Sequence, residues 1–148
     1  DWWRNSLMEK IFVYGTLRKD MYNYDLYLKQ ENSFRQYAYV KGTLYTIQSK
    51  KYPALLLEGN SMIVGEIHEV NQEVLEKVDA MEEYFFDGCI DNEYNKIMCD
   101  IYDENNNIIE NLPVYVYNMK NIEKAKLLGN EITCHDYVRY IKEKDTMD

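Results

Sequence analysis

Glu9-Lys10-Ile11-Phe12-Val13-Tyr14-Gly15-Thr16-Leu17-Arg18-Lys19 is the stretch from which the fold is read. Residues 9–14 are rich in β-branched and aromatic side chains and stop at Gly15, which predicts a buried first strand followed by a loop. Residues 15–23 are polar and irregular, and 24–30 read as a short helix carrying Leu26 and Leu28. Residues 37–47 alternate as a strand does, with Gly42 at the place of a bulge. Pro53 opens the apolar run Ala54-Leu55-Leu56-Leu57, Gly59-Asn60 is a turn signal, and 63–70 are expected to pair back as a hairpin. Asn71 is a candidate N-cap, with Val74, Leu75 and Val78 spaced for the inner face of a helix.

Residues 81–93 are acidic and aromatic and read as the helix end and a surface loop. Strands are expected at 94–102 and 108–117 across the turn-rich 103–107, and short helices at 120–128 and 135–142, parted by Gly129-Asn130. About six strands with interspersed short helices define an α+β class. The sheet is expected to be mixed, mainly antiparallel, and curled into a six-stranded barrel with short flanking helices. Regular βαβ alternation is missing, which disfavours a doubly wound fold.

A chain of 148 residues fits one domain. Residues 8–148 are read as that domain, with Met8 as its start, and 1–7 as upstream of it or foreign to it; Trp2 and Trp3 read alternatively as a docking arm. Seventeen Lys and Arg against 26 Asp and Glu leave a formal charge of −9. Nucleic acid and anionic membrane both need a basic face, so neither is expected as a partner. No window approaches the 18 or more apolar residues of a membrane span, and residues 1–7 lack the apolar core of a signal peptide. Cys89, Cys99 and Cys134 are odd in number and lack CxxC spacing, which suits a reduced, cytoplasmic protein.

Two stretches could carry chemistry. In Tyr14-Gly15-Thr16-Leu17-Arg18-Lys19 a strand ends in glycine and a small hydroxyl residue, so successive backbone N–H groups can cradle a carboxylate or an oxyanion. The plainer reading is a glycine that ends a strand. In Val78-Asp79-Ala80-Met81-Glu82-Glu83-Tyr84 a helix runs into an aromatic loop, where a carboxylate among Met81, Tyr84, Phe85 and Phe86 would be partly desolvated and raised toward a useful base. The plainer reading is a solvated acidic helix end. GxxxxGK[ST], GxGxxG, HxH and HExxH are all absent. His68 and His135 form no local metal motif, and Cys134-His135 would not face each other on a helix. Tyr115 and Tyr117 share one face of a strand, as core or as pocket wall.

Together these stretches resemble the γ-glutamylcyclotransferase-like family, which includes the γ-glutamylamine cyclotransferases and the AIG2-like proteins. The resemblance rests on Tyr14-Gly15-Thr16-Leu17 with Arg18 and Asn23, Tyr52-Pro53-Ala54, Gly65-Glu66, Asp79 to Tyr84, Val114-Tyr115-Val116 and His135-Asp136-Tyr137, six pieces in order over roughly residues 9–140. Departures are Asp20 and Glu83 where glycine is customary, Lys96 where arginine is usual, and a longer 85–93 segment.

The resemblance implies a cyclising transfer that needs no metal and no cofactor. The substrate would be a small γ-glutamyl amine or γ-glutamyl peptide, whose α-amino group attacks its own γ-carbonyl to close 5-oxoproline and release the amine. Carried over by motif, Glu82 is the general acid/base, the N–H groups of Gly15, Thr16 and Leu17 receive negative charge, and Tyr14 and Tyr115 line the pocket. Arg18 and Lys19 are candidates for its mouth. Two readings from other classes stand beside this one: a non-catalytic binding module that retains the glutamyl pocket, and a Cys134-dependent hydrolase. The leaving amine and the oligomeric state are left open.

Overall fold

A computed structural model describes residues 7–147; the Trp2-Trp3 arm lies outside them. The order of elements is β1 (Met8–Val13), α1 (Tyr22–Tyr27), a 3-10 turn (Lys29–Glu31), β2 (Phe34–Ile47), β3 (Ala54–Asn71), α2 (Gln72–Met81), β4 (Tyr94–Tyr102), β5 (Ile108–Tyr117), α3 (Ile122–Ala125), β6 (Leu128–Glu131) and α4 (Tyr137–Met147). The six strands form one sheet in the order β1-β3-β2-β4-β5, with β6 paired to β2. The architecture is α+β, as expected. The sheet is antiparallel at every pairing among the described residues rather than mixed.

The sheet does not close into a barrel. Its terminal strands β1 and β5 approach each other, yet no backbone ladder joins them. Side chains bridge the seam instead: Lys10 Nζ meets Glu110 Oε1 at 2.7 Å, and the Tyr14 hydroxyl donates to the Tyr115 carbonyl at 2.5 Å. Neighbouring strands must come within about 4.8 Å to hydrogen-bond, and here side chains rather than a ladder span the gap among the described residues. That unsealed seam is where the site forms.

Alternation along β1 explains its unbroken apolar run. Ile11 and Val13 turn to one core with Leu28, Val74, Leu75 and Val78 of the helical side. Phe12 and Tyr14 turn to another with Val40, Leu44, Leu55, Ile63 and Val116. A strand buried on both faces has no polar side to present. The predicted hairpin at 54–70 is instead one 18-residue strand. Its pairing with β2 jumps from Gly42↔Ser61 to Thr43↔Leu56, so the turn signal at Gly59-Asn60 marks an excursion within the strand. Gly59 there has φ +76°, and Thr43 Oγ1 ties the excursion down by donating to the Glu58 carbonyl at 2.7 Å.

Two further expectations change. Residues 120–128 shrink to the four-residue α3, and Gly129-Asn130, read as a break, lies inside β6. A Cβ on Gly129 would sit 2.3 Å from Thr46 Oγ1, so the glycine permits β6 to lie close against β2. The Asn71 cap is as expected, its side chain accepting from the Val74 amide at 2.8 Å.

Candidate active site

The loop after β1 is fixed from behind. The Thr16 carbonyl accepts from the Tyr24 amide at 3.1 Å, and Thr16 Oγ1 accepts from Asn23 Nδ2 at 2.7 Å. Leu17 is buried as an anchor. Arg18, expected at the mouth of the pocket, turns inward instead and is only 5% exposed. Its Nε lies 3.0 Å from Glu66 Oε2 and its guanidinium 2.6 Å from Asp136 Oδ1, tying the loop to β3 and to the start of α4.

Glu66, itself 1% exposed, also accepts from the Lys19 amide at 2.8 Å and bonds His68 Nε2 at 2.9 Å. His68 Nδ1 meets Ser33 Oγ at 2.8 Å. Burial pushes the Glu66 carboxyl up, but the hydrogen bonds from His68, Lys19 and Arg18 outweigh it and leave the group below its ordinary value. The physical reason for Arg18's direction is therefore charge: a buried carboxylate needs a cation more than the cavity does.

With its carbonyls and side chains so engaged, the loop leaves the backbone N–H groups of Gly15, Thr16 and Leu17 without an acceptor among the described residues. All three residues line a cavity of about 290 Å³. Gly15 is required by contact: an added Cβ would lie 2.8 Å from Pro53 Cδ. The Tyr52-Pro53-Ala54 motif thus packs directly on the Tyr14-Gly15 motif.

Glu82 caps the C-terminus of α2 on the opposite wall, its amide donating to the Val78 carbonyl at 2.9 Å. The side chain is half-buried, and no hydrogen bond from the described residues contributes to the state of its carboxylate. Burial, followed by the negative charges of Glu93 and Asp79, pushes its carboxyl up to about 8. Glu83 follows at φ +52° and Asp20 stands at φ +74°, both in the left-handed region that favours glycine. These are the two positions where the resemblance implied glycine, and a side chain there carries about 1–2 kcal/mol of local strain each.

The structure therefore brings Tyr14, Gly15, Thr16, Leu17, Tyr115 and Glu82 to one cavity. Tyr14 is gripped between the Tyr115 carbonyl and the Leu55 amide, and burial, then the charge of Glu82, holds its hydroxyl in the neutral form well above the ordinary value. Tyr115 donates to Asp79 Oδ1 at 2.5 Å; burial and that bond push its hydroxyl up likewise.

Sequence reasoning missed Asn23 as the tie on Thr16, and missed Tyr52, Glu93 and Tyr94 as lining. Glu93 is buried and bonded by the Tyr52 hydroxyl at 3.0 Å and by Lys124 at 3.3 Å. Nothing local singles it out in a chain with 26 acidic residues. Cys134 lies outside the lining, in the loop before α4. Among the described residues no group of three His, Cys, Asp or Glu is arranged to hold a metal ion, and no helix is long and apolar enough to cross a membrane.

A model of the family described as "Gamma-glutamyl cyclotransferase, AIG2-like" matches residues 11–139. The chain belongs to this family. Among curated relatives, the gamma-L-glutamyl-butirosin B gamma-glutamyl cyclotransferase of Niallia circulans is 38% identical over 94 residues, 64% of this chain and 58% of that protein. The chain spans between about half and two thirds of the length of the curated relatives it matches. Solved structures share the fold. YkqA from Bacillus subtilis superposes with TM-score 0.67 at 22% identity over 95% of this chain and 43% of that one. An AIG2-like protein from Mus musculus gives 0.57 at 21% identity over 88% of each.

Proposed function

We propose that residues 8–148 form one catalytic unit, a γ-glutamylcyclotransferase acting on the γ-glutamyl group of an amine or peptide. The observation that carries this reading is a half-buried carboxylate, Glu82, to which none of the described residues donates, sharing a cavity with three backbone N–H groups that have no acceptor among them. Family membership and the Niallia relative, named for a γ-L-glutamyl substrate, support the same headgroup.

The chemistry follows from charge. The substrate's α-ammonium cannot attack until it loses a proton, and Glu82 is the base that accepts it. The freed nitrogen adds to the γ-carbon, closing a five-membered ring. Negative charge gathers on the former carbonyl oxygen, where the N–H groups of Gly15, Thr16 and Leu17 act as donors; each such donor is worth about 3 kcal/mol of barrier. Collapse of the tetrahedral species breaks the C–N bond, and the proton held by Glu82 passes to the departing amine. The attacking nitrogen's second proton leaves by the same route, so the products are 5-oxoproline and an ammonium ion, Glu82 returns to its carboxylate form, and atoms and charge balance. The cavity walls hold nitrogen against carbon, and that proximity supplies much of the rate.

A base must be ionised to act, and the carboxyl of Glu82 sits near 8. Turnover should therefore rise with pH up to about that value. The test is release of 5-oxoproline from a panel of γ-glutamyl amines and dipeptides. Glu82→Gln should lower kcat by about 10²–10⁴-fold; unchanged turnover would remove Glu82 from the reaction. Binding of glutamate without 5-oxoproline from any substrate would mark a binding module instead.

A further inference from the structure

Asp79 lies on α2 three residues before Glu82, one turn back. Its Oδ1 accepts the Tyr115 hydroxyl at 2.5 Å and meets Lys96 Nζ at 2.9 Å, while its Oδ2 meets the same ammonium at 3.0 Å. Lys96 on β4 stands directly opposite Tyr115 on β5. Its ammonium lies 5.4 Å from the Tyr84 ring centroid and 5.9 Å from that of Tyr115. The end of α2 is thus fastened to β4 by an ion pair and to β5 by a hydroxyl hydrogen bond, one turn before the residue read as the base.

The groups that face Glu82 from the surrounding elements are few in kind. Tyr14 just after β1, Tyr22 on α1, Tyr94 on β4 and Tyr115 on β5 all have hydroxyls held above their ordinary values, chiefly by burial, and carry no charge at neutral pH. The charges that reach Glu82 come from Glu93, before β4, and from Asp79 on its own helix. Each of these carboxylates is tied to a lysine, Glu93 to Lys124 at 3.3 Å and Asp79 to Lys96. Each lysine stands where its charge opposes that of the carboxylate next to it.

We infer that Asp79 and Lys96 form a clamp that positions the Glu82 carboxylate and sets the pH at which it works, Lys96 acting by masking the charge of Asp79. Both are positioning residues; neither lines the cavity. The inference rests on the reading of Glu82 as the base.

The experiment is the pH dependence of kcat/KM for 5-oxoproline release. Asp79→Asn removes a repelling charge, so the limb assigned to Glu82 should move down by about one pH unit. Lys96→Met keeps the stem packed on the rings but unmasks Asp79, so the limb should move up by a similar amount. The double variant removes both charges and should fall between the two single variants, and Lys96→Arg should restore the wild-type position. Opposed shifts are a signature that general loosening of α2 does not give. Both single variants shifting together, or neither shifting in folded protein, overturns the clamp. A titration of the Glu82 carboxyl by NMR in isotope-labelled protein gives the same comparison where turnover is too weak to follow. Should Glu82→Gln keep both turnover and the limb, the base assignment fails; should it abolish turnover while the other variants leave the limb in place, the clamp alone fails.

Discussion

The two walls of the cavity are built on opposite electrostatic plans. Behind the 15–17 loop, the buried carboxylate of Glu66 has Arg18, His68 and the Lys19 amide as partners, and lies below its ordinary value. At the end of α2, Glu82 has no such partner, faces Glu93 and Asp79, and lies well above its ordinary value. Two glutamates close to one cavity therefore differ in what the fold asks of them. The first is a charged strut that holds backbone donors still. The second is kept poorly solvated so that gaining and losing a proton near neutrality costs little.

The largest effect should come from breaking the satisfied wall. Arg18→Met leaves Glu66 buried without its cation, and stranding a buried charge costs about 3–5 kcal/mol. Urea denaturation should show that loss at neutral pH. The network also gives an acid signature. Because the folded value of Glu66 is depressed below 4.5, its contribution is fully present above about pH 4.5 and drains away as pH falls through the folded value. Glu66→Gln should flatten that acid-side decline, and an identical decline in wild type and variant would mean the network contributes nothing.

An intermediate effect is expected where the two motifs touch. Gly15→Ala places a Cβ 2.8 Å and 3.0 Å from the Pro53 ring, which is too rigid to yield. Gly15 is not among the positive-φ glycines, so contact alone is responsible. The loop must move, at about 1–3 kcal/mol of stability. Misplacing its N–H donors by an ångström should lower turnover by roughly 10²-fold.

These residues also show what was readable in advance. Local rules succeeded: Asn71 bonds the amide of Val74, three residues along, and β1 declares itself by composition. The candidate site was legible because Tyr14 to Leu17 and Glu82 occur in short motifs that the resemblance ties together. What failed was decided by distant contacts. Arg18 is charged and was expected near solvent, but Glu66, 48 positions away, draws it inward. Gly129-Asn130 carries a turn composition and becomes a strand only because Thr46 lies against it. Closure of the sheet depends on whether β1 and β5 pair, which the hydropathy of neither strand marks.

The last effect is the most discriminating, because its sign opposes the first. A carboxyl raised from 4.5 to about 8 costs the folded state nothing below pH 4.5, where both states are protonated. Between 4.5 and 8 the unfolded chain ionises while the folded one resists, and stability is lost until the full penalty stands above 8. Glu82→Gln does not titrate and escapes that penalty. Its Tm should exceed that of the wild type by several degrees at pH 9, with the gap narrowing toward pH 5, even as the variant loses turnover. Gain of stability on loss of a working group is what an environment shaped for function rather than stability produces. Equal melting curves at pH 9 would mean that Glu82 is solvated like any surface carboxylate, and the contrast between the two walls would disappear.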